Sequence, residues 1–437
     1  MEYVAIVLLN LVVYYRSLKF GLCVDDISNR NLDKNPEKRK LWLRVLRMFD
    51  GRGPVKSIPL DHAITIFIHT LTCVLMQVAF NCLPATLLFA VFIGNNQVSV
   101  WLNGKRYGIA ACLCLLSYIL APLGAIVLLL VPFFQVSGLL FPFVLALKGC
   151  WYVIPLFALM LLVGNKYIIN WANSRKRKCS NEWYKKFTLK KIPYILKTYA
   201  FYFFRAIIPM PPAMYIDYHK KVGLGEEYDN KACKFDLASL AGLVIVLGIP
   251  ILYKVLPDIM FGAMWWLILI SVWNNAITYT TQFGERYMYL PNIGLFVTLI
   301  QLLNLINPHL WLVLFGYNLA LTIIYLPMYK DLVSYLHHHI YTNPENDISW
   351  NFLCNLASDV KNVISVLYLT EQGLKSDKSS KLLWLHRAGA LHMLNHHEQA
   401  LQCLEEAKKG LEPRHTEQFA LKIEQLKQQI KKVIKEK

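Results

Sequence analysis

Long apolar runs recur over most of the chain and stop before its last hundred or so residues. They lie at about residues 3–22, 58–80, 84–101, 199–215, 236–255, 259–280, 290–306 and 309–328, and residues 107–165 are almost continuously apolar. A run of about 20 apolar residues can cross a bilayer as a helix. With three crossings or re-entrant pieces in 107–165, whose borders the pattern does not define, it predicts an all-α polytopic membrane domain over 1–328, with about 11 transmembrane helices.

Composition agrees with this pattern. The 437 residues are 56% hydrophobic and only 17% charged, whereas a soluble globular domain has about 25% charged residues. The ten cysteines include no CxxC pair, so we expect neither a zinc site nor a disulfide framework. The first apolar run lacks a basic leader and a cleavage site, which favours a retained span.

The distribution of charge predicts the topology. The formal net charge is +18, and in the loop 166–198 many lysines and arginines stand against one acid, Glu182. Basic loops lie on the cytoplasmic side. Counting crossings from this cytoplasmic loop places the amino terminus inside and residues 23–57, 216–235, 281–289 and everything after 329 outside.

The loop 23–57 is itself basic, whereas the rule that basic loops are cytoplasmic would place it inside. Within it, one helical face carries only apolar side chains and the other face carries basic ones; the apolar set is Leu41, Trp42, Val45, Leu46 and Phe49, and the basic set is Lys40, Arg44 and Arg47. This pattern is typical of a helix lying in the membrane interface. We therefore interpret 23–57 as a first extracytoplasmic loop that contains an interfacial helix.

The tail 329–437 has the composition of soluble helices. Trp384, Arg387, Ala388, Leu391 and Pro413 fit a 34-residue tetratricopeptide pattern, and a more degenerate copy begins 34 residues earlier at Trp350. A generic helical hairpin is the alternative. The segment from Thr416 to Lys435 is amphipathic and suited to capping such a stack, so we predict a small extracytoplasmic repeat domain.

Two adjacent carboxylates, Asp25 and Asp26, directly follow the first apolar run. Carboxylates so close to a membrane segment are rare unless they have a function. They could instead simply end the helix and solvate its end. As a functional pair, they would repel each other, and one of them could accept a proton from an acceptor group.

A second motif lies about 260 residues downstream: Glu285-Arg286-Tyr287-Met288-Tyr289-Leu290-Pro291-Asn292-Ile293-Gly294. It resembles a signature of the transmembrane and tetratricopeptide-repeat O-mannosyltransferases, in the glycosyltransferase C superfamily. Phe20 to Asp26 is similar to that family's first-loop Asp-Asp motif, and Leu60 to Leu71, with His62 and His69, to its second span. Ala85 to Arg106 is similar to its third span and following turn. The likeness covers nearly the whole chain.

The resemblance implies a glycosyltransferase C fold and transfer of a sugar from a polyprenyl-phosphate donor. Asp25 or Asp26 would be the base, with Asp25 slightly favoured because it comes first after the span. Arg286 would bind the donor phosphate, oriented by Glu285, since a guanidinium binds phosphate with a bidentate fork. Lys105 and Arg106 are second-rank phosphate partners. The substrate cavity would contain His62, Gln97, Tyr287 and Tyr289.

Several positions depart from the family pattern. Gln97 stands where members carry glutamate, Tyr107 where they carry an acid, and Gln135-Val136 where they carry Lys-Glu. These changes alter polar anchors of the substrate cavity. The identity of the sugar, and mannose in particular, therefore does not follow from the resemblance.

Two other classes of function stay open: a non-catalytic flippase of lipid-linked saccharides, and a membrane scaffold that binds partners through its repeats. For the transferase we expect membrane lipids and a protein (pilin-like) or glycan acceptor as partners, but no nucleic acid. We predict no protein metal motif, although the two aspartates could hold a divalent cation beside a phosphate. The short chain and its two repeats favour a bacterial inner membrane with the site facing the periplasm.

Overall fold

The computed structural model describes residues 1–23, 57–121, 123–164, 187–211, 234–276, 284–344, 347–409 and 417–436. Within these ranges the chain is helical and contains no β-strand. The described residues form two compact units, one up to Leu332 and the other from Val333. The domain boundary predicted from composition, at 328/329, falls close to this division. The predicted interfacial helix and most of the basic loop lie outside the described residues.

The first unit consists of apolar helices joined by short 3₁₀ segments. Besides the short helix Asn96–Ser99 and helical residues 155–164, its α-helices include α1 Glu2–Tyr14, α2 Ile58–Phe80, α3 Leu83–Val91, α4 Lys105–Ile119, α5 Phe141–Leu147, α6 Ile192–Ile207, α7 Leu237–Val255, α8 Pro257–Ile270, α9 Tyr289–Ile306 and α10 Leu310–Tyr325. The 3₁₀ segments used below are Leu102–Gly104, Val136–Leu140, Ser271–Trp273, Glu285–Met288 and Leu326–Lys330.

Four helical stretches in the described part of the chain are long and apolar enough to cross a membrane: Ile58–Phe80, Leu237–Val255, Glu285–Ile306 and Leu310–Lys330. They coincide with four of the predicted spans and indicate a membrane protein. Many large apolar side chains on them face outward; on α7 a row of them, with Leu252 beside it, consists of Leu237, Leu240, Val244, Leu247, Ile251 and Val255. Their spacing of three or four residues forms one helical stripe, as expected of a face in contact with lipid.

The other predicted spans differ in the structure from their predicted bounds. In the run 3–22 the α-helix ends at Tyr14 and a 3₁₀ segment continues to Lys19. In the run 84–101 the α-helix ends at Val91, and short helical pieces follow where Gly94-Asn95-Asn96 interrupts the apolar character. The run 199–215 is replaced by α6, which begins and ends earlier, before Pro209. Residues 107–165 form short pieces, including Leu123–Phe133, Val136–Leu147 and Trp151–Gly164. The count of eleven crossings therefore stays a prediction.

Close backbone contacts hold α8 against α9. A Cβ added at Gly262 would lie 2.0 Å from the carbonyl oxygen of Gly294, so only glycine fits there. Next to this contact, Thr298 Oγ1 accepts from the Ala263 amide at 2.9 Å and donates to the Ile259 carbonyl at 2.7 Å. This contact sets the position of α9, and with it the turn Glu285–Met288 at its amino-terminal end.

The second unit is built from helical hairpins. Its helices are α11 Leu332–Thr342, α12 Asp347–Asp359, α13 Val363–Ser376, α14 Lys381–Met393, α15 His397–Lys408 and α16 Glu417–Glu436. The α12–α13 hairpin recurs as α14–α15 with an offset of 34 residues at three of its four helix ends.

Local details recur with the same offset. The indole of Trp350 donates to the Pro344 carbonyl at 2.8 Å, and that of Trp384 to the Lys378 carbonyl at 2.9 Å. The backbone has a positive φ at Lys361 and again at Asn395. The sequence period is thus matched by a structural period, with Ile423 and Ile430 of α16 buried in the core of the second hairpin.

Candidate active site

The Glu285-Arg286 motif lies in a 3₁₀ turn at the amino-terminal end of α9. Both side chains are buried, with 2% and 6% of their surface exposed. Although Glu285 and Arg286 are adjacent and opposite in charge, their side chains bind different partners. Burial of charges is costly unless they are paired or hydrogen-bonded, so these partners define the site.

Glu285 forms an ion pair with Arg205, which lies in the last turn of α6. Arg205 Nε donates to Glu285 Oε1 at 3.1 Å, and its Nη2 contacts the same oxygen. Arg205 is itself only 5% exposed, and its Nη2 also donates to the Pro211 carbonyl. The pair ties α6 to the turn that carries Arg286. The sequence pattern predicted that Glu285 orients Arg286, whereas the contacts here assign its Oε1 to Arg205.

Arg286 is surrounded by hydroxyls, an amide and aromatic rings. Its Nε donates to the Tyr107 hydroxyl and its Nη2 to the Tyr287 hydroxyl, both at 3.3 Å. The backbone amide of Arg286 donates to Gln97 Oε1 at 3.3 Å. The guanidinium carbon lies 5.3 Å from the centroid of the Trp101 ring. A guanidinium in such a low-dielectric setting interacts strongly with an anion.

Two tryptophans complete the surroundings of Arg286. Trp273 stacks on Tyr287 with centroids 3.9 Å apart and an interplanar angle of 6°. Trp101 is 5% exposed, and its indole N–H has no hydrogen-bond partner among the residues that the structure describes. A buried donor beside a guanidinium is a group that a bound anion can satisfy. Because Tyr287 stacks on Trp273, that ring face belongs to the packing of the protein.

Tyr329 connects Arg286 to the segment that precedes the aspartate pair. Its buried phenol lies within electrostatic range of the charges on Glu285, Arg205 and Arg286. Its carbonyl accepts from the Cys23 thiol at 3.2 Å. Cys23 is the last described residue before Asp25 and Asp26, which lie outside the described residues.

His62 of α2 supports the same segment. Its Nδ1 is 3.1 Å from the Val100 carbonyl, and its Nε2 is 3.4 Å from the Gly21 carbonyl. The side chain is 2% exposed. Gly21 in turn donates its backbone N–H to the Lys330 carbonyl at 2.6 Å. His62 thus connects Gly21 to Val100, while the Gly21 amide connects the same segment to the turn that follows α10.

The two second-rank cations have their own partners. Lys105 is 1% exposed and forms a 2.8 Å ion pair with Asp61 of α2. Arg106 lies over the ring of Tyr107, at 5.2 Å from its centroid. Lys105 therefore links α4 to α2, while Arg106 adjoins the tyrosine that binds Arg286.

Tyr289 belongs to a different network from Arg286. Its hydroxyl lies 2.6 Å from His69 Nδ1, and His69 Nε2 lies 3.1 Å from the Ala90 carbonyl. One tautomer satisfies both contacts, with the proton on Nε2 and the Tyr289 hydroxyl donating to Nδ1. The Phe89 ring packs 5.0 Å from the Tyr289 ring. Tyr289 and His69 thus form a buried network that is separate from the contacts of Arg286.

Sequence reasoning missed Arg205, Trp101, Trp273 and Tyr329. A signal was present for Arg205, since it is the only charged residue in the apolar stretch 199–215, and an ionisable residue inside a membrane segment is by default a functional candidate. No comparable signal marks the aromatic residues, because tyrosine and tryptophan are common at membrane interfaces.

No metal-binding group of three or more His, Cys, Asp or Glu side chains occurs in the described ranges. The suggested cation site at Asp25 and Asp26 lies outside those ranges and stays a prediction. Comparisons of the chain with protein-family models, curated proteins and solved structures return no match.

Proposed function

We propose that the protein is a glycosyltransferase that transfers a sugar from a polyprenyl-phosphate donor to an extracytoplasmic acceptor, either a protein hydroxyl or a cell-surface glycan. The observation that supports it best is the convergence on Tyr329. Cys23, which directly precedes the carboxylate segment, donates to the Tyr329 carbonyl, and Arg286, some 260 residues later, lies within electrostatic range of the Tyr329 phenol. A base and a phosphate-binding guanidinium are the two groups that the reaction needs.

In this mechanism Arg286 binds the donor phosphate and stabilises the charge that develops on it as the sugar leaves. The indole N–H of Trp101 adds a second donor beside it. Asp25 or Asp26 removes the proton from the acceptor hydroxyl, whose oxygen forms the new bond to the anomeric carbon while the bond to the phosphate oxygen breaks. The Arg205–Glu285 pair holds the turn that carries Arg286.

We further propose the finer architecture that the resemblance implies. The fold would be of the glycosyltransferase C type, with about 11 crossings and two tetratricopeptide-like repeats in the extracytoplasmic unit. The 34-residue offset between the two hairpins supports the repeats. The location would be a bacterial inner membrane, with the site facing the periplasm.

The activity is tested by incubating the purified protein with a panel of polyprenyl-phosphate sugars and measuring released polyprenyl phosphate. Asp25→Asn and Asp26→Asn, made separately, should show which carboxylate is the base, since removing a general base costs about 10²–10⁴ in rate. Both variants should keep the wild-type melting temperature. If both turn over at wild-type rate, the carboxylates only solvate a helix end, and the flippase function becomes the better proposal.

The topology has its own test. Single cysteines at Arg30, Phe283 and Ala420 should be labelled from the same side of sealed vesicles by a membrane-impermeant maleimide. Labelling of these positions from opposite sides would contradict the crossing count and the proposed catalytic pairing.

A further inference from the structure

Gln135 and Ser137 are buried polar residues without partners in the described part of the chain. Gln135 is 3% exposed, and neither its amide nitrogen nor its amide oxygen has a hydrogen bond there. Ser137 is fully buried, and its hydroxyl is in the same situation. Buried polar groups nearly always have partners, because leaving one unsatisfied costs free energy. Three orphaned groups within three residues therefore need a cause.

The segment lies close to the candidate active site. The 3₁₀ turn Val136–Leu140, which Gln135 directly precedes, packs against the turn Ser271–Trp273. Trp273 in turn stacks on Tyr287, whose hydroxyl binds Arg286. The stacked rings of Trp273 and Tyr287 thus link this turn to the guanidinium.

A second contact places the turn Val136–Leu140 against α4. A Cβ added at Gly138 would lie 3.6 Å from the Cys114 sulfur of α4. Cys114 lies two turns along the helix from Tyr107, which binds Arg286 through its hydroxyl. Two turns of helix span about 11 Å. The turn that follows Gln135 therefore packs on α4 about two helical turns from the tyrosine that binds Arg286.

The chemistry of the two side chains limits what they can bind. An amide offers two N–H donors and a carbonyl acceptor, and a serine hydroxyl both donates and accepts. Neither is charged, so they match neutral hydroxyl groups better than a second phosphate. A monosaccharide presents several hydroxyls that each donate and accept.

We propose that Gln135 and Ser137 form a subsite that binds hydroxyl groups of the transferred sugar. This inference rests on the proposed function, in which Arg286 holds the donor phosphate. The amide and the hydroxyl then determine which sugar is accepted, because a buried hydrogen-bonding site rejects a ligand that lacks the matching hydroxyl. The phosphate is bound at one end of the site and the sugar is selected at the other.

The first experiment measures stability. Gln135→Leu removes no hydrogen bond between described residues, so its melting temperature without ligand should equal or exceed that of the wild type. Gln77→Leu is the matched control, because Gln77 is 1% exposed but donates to Glu2 at 2.8 Å and accepts from Thr86 at 3.1 Å. That control should melt lower. A Gln135→Leu protein that melts as low as the control would show that the amide serves the packing of the protein and would overturn the proposal.

The second experiment measures binding in lipid nanodiscs. The probes are undecaprenyl phosphate without a sugar and the same lipid carrying glucose, mannose or N-acetylglucosamine. Wild-type protein should bind at least one sugar-bearing lipid more tightly than the bare lipid. In Gln135→Leu and Ser137→Ala this preference should fall by about tenfold, which corresponds to about 1.4 kcal/mol, while affinity for the bare lipid stays within about twofold.

The outcomes separate the two proposals. If the bare lipid binds and the sugar preference is unchanged in both variants, the subsite is wrong and the phosphate site stands. If wild-type protein binds none of the lipids, the proposed function is wrong and the sugar subsite falls with it. Loss of bare-lipid binding in both variants would assign these residues to the fold and overturn the subsite.

Discussion

Two buried polar regions of the membrane unit differ in how their hydrogen bonds are satisfied. In the first, His69 and Tyr289 bond each other and the Ala90 carbonyl in one consistent tautomer. In the second, around Arg286 and Gln135, the Trp101 indole and the Gln135 amide have no partner within the described residues. In the first region these contacts satisfy both ring nitrogens of His69, which stabilises the fold. The second has hydrogen-bonding groups left over, as a ligand site has before its ligand binds.

The comparison also shows why residue type is a poor guide to function inside a membrane protein. Tyr289 and Tyr287 are two residues apart in one motif, and both were predicted to line the substrate cavity. The Tyr289 hydroxyl bonds His69, whereas the Tyr287 hydroxyl bonds Arg286. Their roles separate because the chain changes from a 3₁₀ turn to α-helix between them, so the two side chains point to different neighbours.

The largest effect is expected at the Arg205–Glu285 pair. Glu285→Gln or Arg205→Met should each lower the free energy of unfolding by about 3–5 kcal/mol, because the remaining partner is a buried charge. The double variant Arg205→Met/Glu285→Leu should recover much of that loss. Thermal melts of the purified protein measure this. Single variants as stable as the wild type would mean that the pair does not hold the site.

Arg286 should affect ligand binding rather than stability. Arg286→Ala should weaken binding of the polyprenyl phosphate by roughly 2–4 kcal/mol, the value of charge-assisted bonds in a buried site. Arg286→Lys keeps the charge but loses the guanidinium fork, so its affinity should fall between those of the wild type and Arg286→Ala. Donor titrations measure both variants. Unchanged donor dependence in Arg286→Ala would remove this residue from the mechanism.

A buried histidine in the second unit should make the stability of the protein depend on pH. His339 is 1% exposed, and burial, with a smaller contribution from the neighbouring His338, lowers the pKa of His339 to about 4. The unfolded imidazole has a pKa of about 6.5. Between these values the unfolded state binds a proton that the folded state does not, so stability is full above pH 6.5 and falls as the pH drops toward 4.

The fall should amount to roughly 3 kcal/mol over this interval. Melting temperatures of the full-length protein from pH 7.5 to 4 measure it, followed by fluorescence of the tryptophans. His339→Leu should flatten the profile. If the variant keeps the wild-type slope, other groups cause the acid sensitivity.

The smallest effect is expected for Tyr289→Phe. It leaves His69 Nδ1 without its donor and should cost about 1–2 kcal/mol of stability, with no change in binding of the polyprenyl phosphate. Tyr287→Phe is the matched comparison, because it removes a hydroxyl that binds Arg286 and should weaken lipid binding instead. Equal effects of the two substitutions on binding would erase the distinction between the two regions.

Much of the architecture can be read from local patterns. Apolar runs located the four helices that are long enough to cross a membrane, and the Trp350–Trp384 spacing located hairpins that recur with the same 34-residue offset. Both are short-range properties of the chain, since helix length and repeat period follow from nearby residues. The runs at 84–101 and 199–215 were misjudged at their ends because turns and prolines, rather than the apolar character of the run, decide where a helix stops.

What the sequence by itself determined is the class of protein, the position of its longest helices and the Glu285-Arg286 motif. What only the tertiary structure decided is which side chains meet. Arg205 pairs with Glu285 across 80 residues, and Gln97 and Tyr107 reach Arg286 across more than 170. No local pattern encodes such contacts, because they depend on how the helices pack, down to single glycines such as Gly262 that let two backbones touch. The same packing left Gln135 and Ser137 buried without partners among the described residues.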